Sequence, residues 1–148
     1  MKKADAILCS DLHLRDTVPI CRTDDYWKAQ ASKLEFINEL AVKHDAQFVL
    51  CAGDIIHKAR SSKALETFLL EHIICRVHTI PGNHDLPEHS LGNLEDSSLG
   101  IMAAAGKNMT VYPVALEQML TLNIAGRNIG LIHKLVHGDT AIDAGGNI

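Results

Sequence analysis

The chain has 148 residues, 47% of them hydrophobic and 22% charged, a balance that gives one compact domain a core and excludes a disordered segment. Its 14 Lys and Arg against 18 Asp and Glu leave a formal charge of −4, so no global cationic field marks a simple DNA-binding module, although bound divalent ions would reverse the sign locally. No apolar run approaches a membrane span and Met1-Lys-Lys-Ala-Asp5 lacks the apolar segment of a secretory signal, so a soluble cytoplasmic protein without membrane contact is expected.

Ala4 to Cys9 reads as a short strand of the buried, parallel-sheet type, and Ser10 to Thr23 as a long polar loop. A helix is expected from Asp24 or Asp25 to about Lys43, with Trp27, Ala31, Leu34, Ile37, Leu40 and Ala41 at three- and four-residue intervals. Gln47 to Ala52 is the second strand. Ser61 or Ser62 then caps a helix whose inner side carries Leu65, Phe68, Leu69 and Ile73. Arg76 to Ile80 is the third strand, and the alternation predicts a parallel sheet with right-handed crossovers. Leu86 to Asn93 reads as polar turn, Leu94 to Ala105 as a helix ended by Gly106, and Met109 to Tyr112 as a fourth strand. Met119 to Ile124 and Asn128 to Ile132 flank Ala125-Gly126-Arg127 as an antiparallel hairpin, with His133 at the end of its last strand.

Cys9, Cys21, Cys51 and Cys75 show no Cys-x-x-Cys spacing and read as small buried thiols of a reducing compartment. His44, His72 and His78 read as surface or sheet histidines.

Three strand ends share one chemistry: Asp11-Leu-His13 follows the first, Gly53-Asp54-Ile-Ile-His57 the second and Gly82-Asn83-His84-Asp85 the third. A parallel sheet brings such distant residues into one crevice at the carboxyl ends of its strands. Asp11, His13, Asp54, Asn83 and His133 are a mixed oxygen and nitrogen set, suited to Mn²⁺, Fe²⁺ or Zn²⁺ more than to an oxygen-seeking Mg²⁺ or Ca²⁺. Two divalent ions sharing one carboxylate suit hydrolysis of a phosphate ester with water as nucleophile, and Asp54 of the central strand is placed to be shared.

These motifs resemble the calcineurin-like metallophosphoesterases and, more narrowly, the nuclease subunit of bacterial, phage and eukaryotic recombination and repair nuclease complexes. The narrower likeness rests on His57, where many phosphatases of the superfamily carry Asp, on Ser10-Asp11-Leu-His13-Leu14 and on the stretch 81–99. The resemblance implies an α/β fold, a mainly parallel sheet flanked by helices within a four-layer α-β-β-α sandwich, formed by a single catalytic domain over 1–148. It also implies that Asp11 and His13 hold one ion, Asn83 and His133 the other, with Asp54 bridging. His84 would stabilise the transition state or protonate the leaving oxygen, His57 would help position it, and Asp85 would orient a histidine.

The activity implied is a metal-dependent exonuclease or endonuclease with Mn²⁺ foremost, Fe²⁺, Zn²⁺ and Mg²⁺ being the other ions weighed. DNA and a coiled-coil ATPase subunit are the implied partners, with homodimerisation a further expectation. The family closes its site with a Gly-His-x-His pair, for which His137-Gly138 has the wrong order, so a domain truncated at its C-terminus is expected. Arg15, Lys58 and Arg60 are candidate contacts to substrate phosphate, against a solvated helix start near Lys63 as the plainer reading. Rival functions are a phosphatase or cyclic-nucleotide phosphodiesterase on the same fold, and a metal-poor, non-catalytic scaffold.

Overall fold

The computed structural model describes residues 3–106 and 108–134, and its centre is a four-stranded parallel sheet. The strands β1 (Ile7–Cys9), β2 (Val49–Cys51), β3 (Val77–Thr79) and β4 (Met109–Val111) pair in chain order. They are shorter than their apolar runs, β1 and β2 mainly at their starts, and Gly53, at φ +95°, turns the chain two residues beyond Cys51.

Helix α1 (Tyr26–Lys43) starts at Asp25, whose side chain accepts from the Lys28 N–H. Helix α2 (Lys63–His72) starts at Ser62, whose hydroxyl accepts from the Leu65 N–H, which resolves the choice between Ser61 and Ser62. Helix α3 (Ser98–Ala105) is shorter than expected. Ser97 caps it by accepting from the Gly100 N–H, and 91–96, expected to be partly helical, forms 3₁₀ turns instead. Gly106 ends α3 at φ +63°, the left-handed conformation expected of it.

Because the sheet order never reverses, all three crossover helices lie on one face. Period-two alternation then divides the strands. Val49, Cys51, Val77 and Met109 pack with Leu34, Leu65, Leu69, Leu99 and Met102 of the helices. Leu50 points the other way and packs with Ile80, Ile124 and Leu131. That second core is completed by a hairpin of β5 (Met119–Ile124) and β6 (Arg127–Ile132). Ile124 pairs with Arg127, leaving a two-residue turn in which Ala125 and Gly126 both have positive φ, one residue tighter than the expected Ala125-Gly126-Arg127 turn.

The described residues therefore stack as helices, parallel sheet and antiparallel hairpin, three of the layers of the expected sandwich. Among the cysteines, Cys51 is buried and Cys9 and Cys75 partly so, but Cys21 is exposed, a correction that follows from its place in the loop before α1. No described helix is long and apolar enough to cross a membrane. His137-Gly138 lies outside the described residues.

The two faces predict opposite responses to truncation. Leu50→Ala opens a void between sheet and hairpin and should cost about 2–5 kcal/mol in urea unfolding. Leu8→Ala, at a side chain 64% exposed, should stay within about 0.5 kcal/mol of the parent.

Candidate metal centre

The loops after β1 and β2 run side by side, continuing the pairing of their strands. Asp11 N–H donates to Gly53 O (3.1 Å), His13 N–H to Asp54 O (2.9 Å) and His57 N–H to Leu14 O (2.9 Å). Within this ladder Asp11, His13 and Asp54 sit at φ +53°, +45° and +53°, a left-handed conformation that non-glycine residues rarely adopt. The buried apolar neighbours Leu14, Ile55 and Ile56 pin the loops from below, so these three side chains are turned up at the sheet's carboxyl edge.

The third loop closes onto the second at two glycines. A Cβ on Gly82 would collide with the Asp54 carboxylate and backbone, and one on Gly53 would stand 2.8 Å from both Gly82 N and His133 Nδ1. Asp85, wholly buried, holds the contact. Its Oδ1 accepts from Ile56 N–H and its Oδ2 from Gly82 N–H, both at 2.9 Å. This corrects the expected role for Asp85: its carboxylate binds two backbone amides, and the group it fixes is a loop, not an imidazole. Burial pushes that carboxyl up to about 6, against the opposing pull of the two amides.

Around Asp54 the five expected ligands converge. Asp54 is 3% exposed, and its Oδ1 accepts from His84 N–H at 2.9 Å. Its Oδ2 lies 3.6 Å from His13 Nε2 on one side and 3.6 Å from His133 Nε2 on the other. His13 Nε2 is in turn 3.7 Å from Asp11 Oδ1, and Ser10 Oγ donates to Asp11 Oδ2. His133 Nε2 is 3.0 Å from Asn83 Oδ1. Two half-sites thus share one carboxylate: Asp11, His13 and Asp54, with ligand atoms within 4.8 Å of one another, and Asn83, His133 and Asp54.

The donor chemistry fits a cation in each half. His133 Nδ1 faces Ala52 O at 2.8 Å, and a carbonyl only accepts, so Nδ1 carries the proton. In the neutral ring the Nε2 lone pair then meets two acceptor oxygens, Asn83 Oδ1 and Asp54 Oδ2. Three electron pairs facing one another repel unless a positive charge sits among them. In the other half two carboxylates converge on His13 Nε2, while His13 Nδ1 is buried without a hydrogen-bond partner.

Two further histidines, His84 and His57, and the cation Arg15 border the centre. His84 Nδ1 donates to the His57 carbonyl at 2.8 Å, and the two rings stack at 5.1 Å and 17°. The His84 ring stands edge-on to His13 at 4.9 Å. Arg15 Nη1 donates to His57 Nε2 at 3.0 Å. Burial first, then the Arg15 charge, lowers the His57 pKa and keeps its ring neutral. Lys58 is exposed, whereas Arg60 donates through Nε to Asp96 O (3.3 Å). The sequence reading missed Ser10 and Lys134, which line the cleft with Asp11, Asp54, Asn83, His84 and His133. Their only signal was adjacency to Asp11 and His133.

The sequence profile of the family described as calcineurin-like phosphoesterase matches residues 6–146, and the chain belongs to that family. Among solved structures, that of Pseudomonas putida nuclease MPE aligns at 23% identity with a TM-score of 0.45, covering 78% of this chain and 50% of the other. This chain therefore spans about half the length of that protein. No curated protein matches it significantly.

Because Asp54 Oδ2 faces both His13 and His133, its carboxylate is the group whose loss should tell most on metal binding. In isothermal titration with Mn²⁺, Asp54→Asn should lose measurable binding in both half-sites, while His133→Ala should lose one and keep the other.

Proposed function

We propose that this domain is a divalent-metal-dependent phosphodiesterase acting on DNA ends or single strands, as an exonuclease or endonuclease with water as nucleophile. The observation that supports it most is the position of Asp54 Oδ2, 3.6 Å from the Nε2 atoms of both His13 and His133. Asp11, His13 and Asp54 would hold one ion and Asn83, His133 and Asp54 the other. Bound there, a pair of Mn²⁺ ions would supply Lewis acidity toward a phosphoryl oxygen and lower the pKa of water.

The chain's own groups do the rest. His84 lines the cleft with Nδ1 tied to the His57 carbonyl, so its free Nε2 is the atom that reaches substrate. As imidazolium it keeps its Nδ1–H hydrogen-bonded to that carbonyl and gives its Nε2 proton to the leaving oxygen, ending as the neutral ring. The neutral His57 ring stacked beneath limits rotation of His84. Lys134 of the cleft lining, the remaining N–H groups of Arg15 and the exposed Lys58 would supply the cationic contacts to a phosphate backbone. Arg60 is partly neutralised by Asp96, 4.0 Å away, and is the weakest of the phosphate contacts.

A nuclease is favoured over a phosphatase or cyclic-nucleotide phosphodiesterase by His57 in place of an acid and by these cations beside an exposed cleft. On the same reading the domain works in DNA repair in the cytoplasm. A coiled-coil ATPase partner and homodimerisation rest on the family likeness of 10–14 and 81–99 alone.

The test is release of nucleotides from single-stranded and blunt DNA with Mn²⁺, set against a phosphomonoester and a cyclic nucleotide. His84→Ala should leave Mn²⁺ binding unchanged and cut turnover on DNA by about 10²–10⁴-fold. Hydrolysis of the monoester alone would assign the site to a phosphatase, and loss of metal in His84→Ala would remove the role given to His84.

A further inference from the structure

Helix α1 buries one polar side chain, Gln30, at 3% exposure, in the midst of Leu34 and Ala41 on the same inner face. A buried amide costs free energy unless its donors and acceptor are used, and this one is used in an unusual way. Its Oε1 accepts from the Arg15 N–H at 2.8 Å and its Nε2 donates to the Arg15 carbonyl at 3.0 Å. The side chain thus grips both backbone groups of a single loop residue, as a neighbouring strand would. On the other side of that loop, Leu14 forms a parallel bridge with Ile56. Arg15 is therefore fixed between α1 and the second metal loop, and the freedom left to it lies in its side chain.

That side chain donates from Nη1 to His57 Nε2. A guanidinium can only donate, so His57 must accept at Nε2 and carry its own proton on Nδ1. His57 in turn holds His84 twice, through its carbonyl and through the stacked ring. The bonds form one line from the helical layer to the group placed at the leaving oxygen: Gln30, Arg15, His57, His84.

We propose that Gln30 is a positioning residue for His84, acting through a two-point clamp on the Arg15 backbone that sets the Arg15 guanidinium against His57 and selects the His57 ring orientation and tautomer. Arg15 is then first a positioning residue and only second a contact to phosphate. The proposal rests on the function assigned above for its catalytic consequence, but its structural half stands without metal or substrate.

The experiment uses Gln30→Met, which keeps the volume and removes both bonds, and Arg15→Ala, which removes the guanidinium without touching the core. Imidazole ¹⁵N spectra of the metal-free protein are expected to show His57 as the Nδ1–H tautomer in the parent. Both variants should shift it toward Nε2–H while His133 stays unchanged. With Mn²⁺, turnover of an alkyl phosphodiester, whose leaving group needs a proton, should fall about tenfold or more in each variant. A p-nitrophenyl diester, whose leaving group does not, should change far less in turnover, at unchanged KM in Gln30→Met, whereas Arg15→Ala also raises KM through its lost phosphate contact. If Gln30→Met fails to fold, Gln30→Leu, which also lacks both bonds, takes its place beside Arg15→Ala. Parental His57 spectra in the folded variants would overturn the clamp. A shifted tautomer with equal losses on both esters would overturn the link to His84. A parent that hydrolyses neither diester would instead count against the function, with the spectra still deciding the clamp.

Discussion

The site depends on one close approach, that of the Gly82 loop to the Asp54 loop. The two backbones meet where neither glycine has room for a Cβ, and the contact turns Asp54 into a buried carboxylate with His13 on one side and His133 on the other. Asp85 makes the approach possible by accepting from an amide of each loop. A carboxylate already committed to two buried amides holds the loops at a fixed separation, and a fixed separation is what two cations sharing one oxygen ligand require. The φ values of Asp11, His13 and Asp54 belong to the same account: strain in three neighbouring ligands persists because the ladder beneath them is complete.

The layers serve that contact from both sides. Helices α1 and α2 pack under the strands and fix the β1 and β2 loops, through Ser62, whose N–H donates to Asp16 at 3.0 Å, as well as through the core. Hydrogen bonding from Ser62, its hydroxyl foremost and its N–H after it, holds the Asp16 carboxyl below its ordinary value. The hairpin closes the opposite face, and its inward parity of Ile129 and Leu131 carries on to His133, whose Nδ1 reaches Ala52 O across the sheet. Apolar packing of a two-stranded ribbon thereby sets the position of His133, 81 residues further along the chain than the Ala52 carbonyl it meets.

What was legible in the sequence was what is local. Asp25 and Gly106 act as the caps their residue types announce, and β1 to β4 finish within one residue of their expected C-terminal ends. The family and the convergence of Asp11, His13, Asp54, Asn83 and His133 followed because parallel-sheet topology turns separated motifs into neighbours. What the sequence did not disclose depends on pairings with no local signal. Asp85 was expected against a histidine, yet the amides of Ile56 and Gly82 claim it, since a buried loop cannot leave its N–H groups unpaired. Nothing in the helical periodicity singles out Gln30, because its partner is the backbone of Arg15, 15 residues away in the chain. The start of α3 moved from Leu94 to Ser98 because a serine cap outweighs apolar spacing in fixing where a helix begins.

The central claim is that Asp54 stands between two cations. Anomalous diffraction from crystals of the protein soaked in Mn²⁺ tests it most directly. The account predicts two peaks flanking Asp54 Oδ2, one among Asp11 and His13 and one among Asn83 and His133. A single peak remote from Asp54, or none at saturating Mn²⁺ with the loops in place, would contradict it.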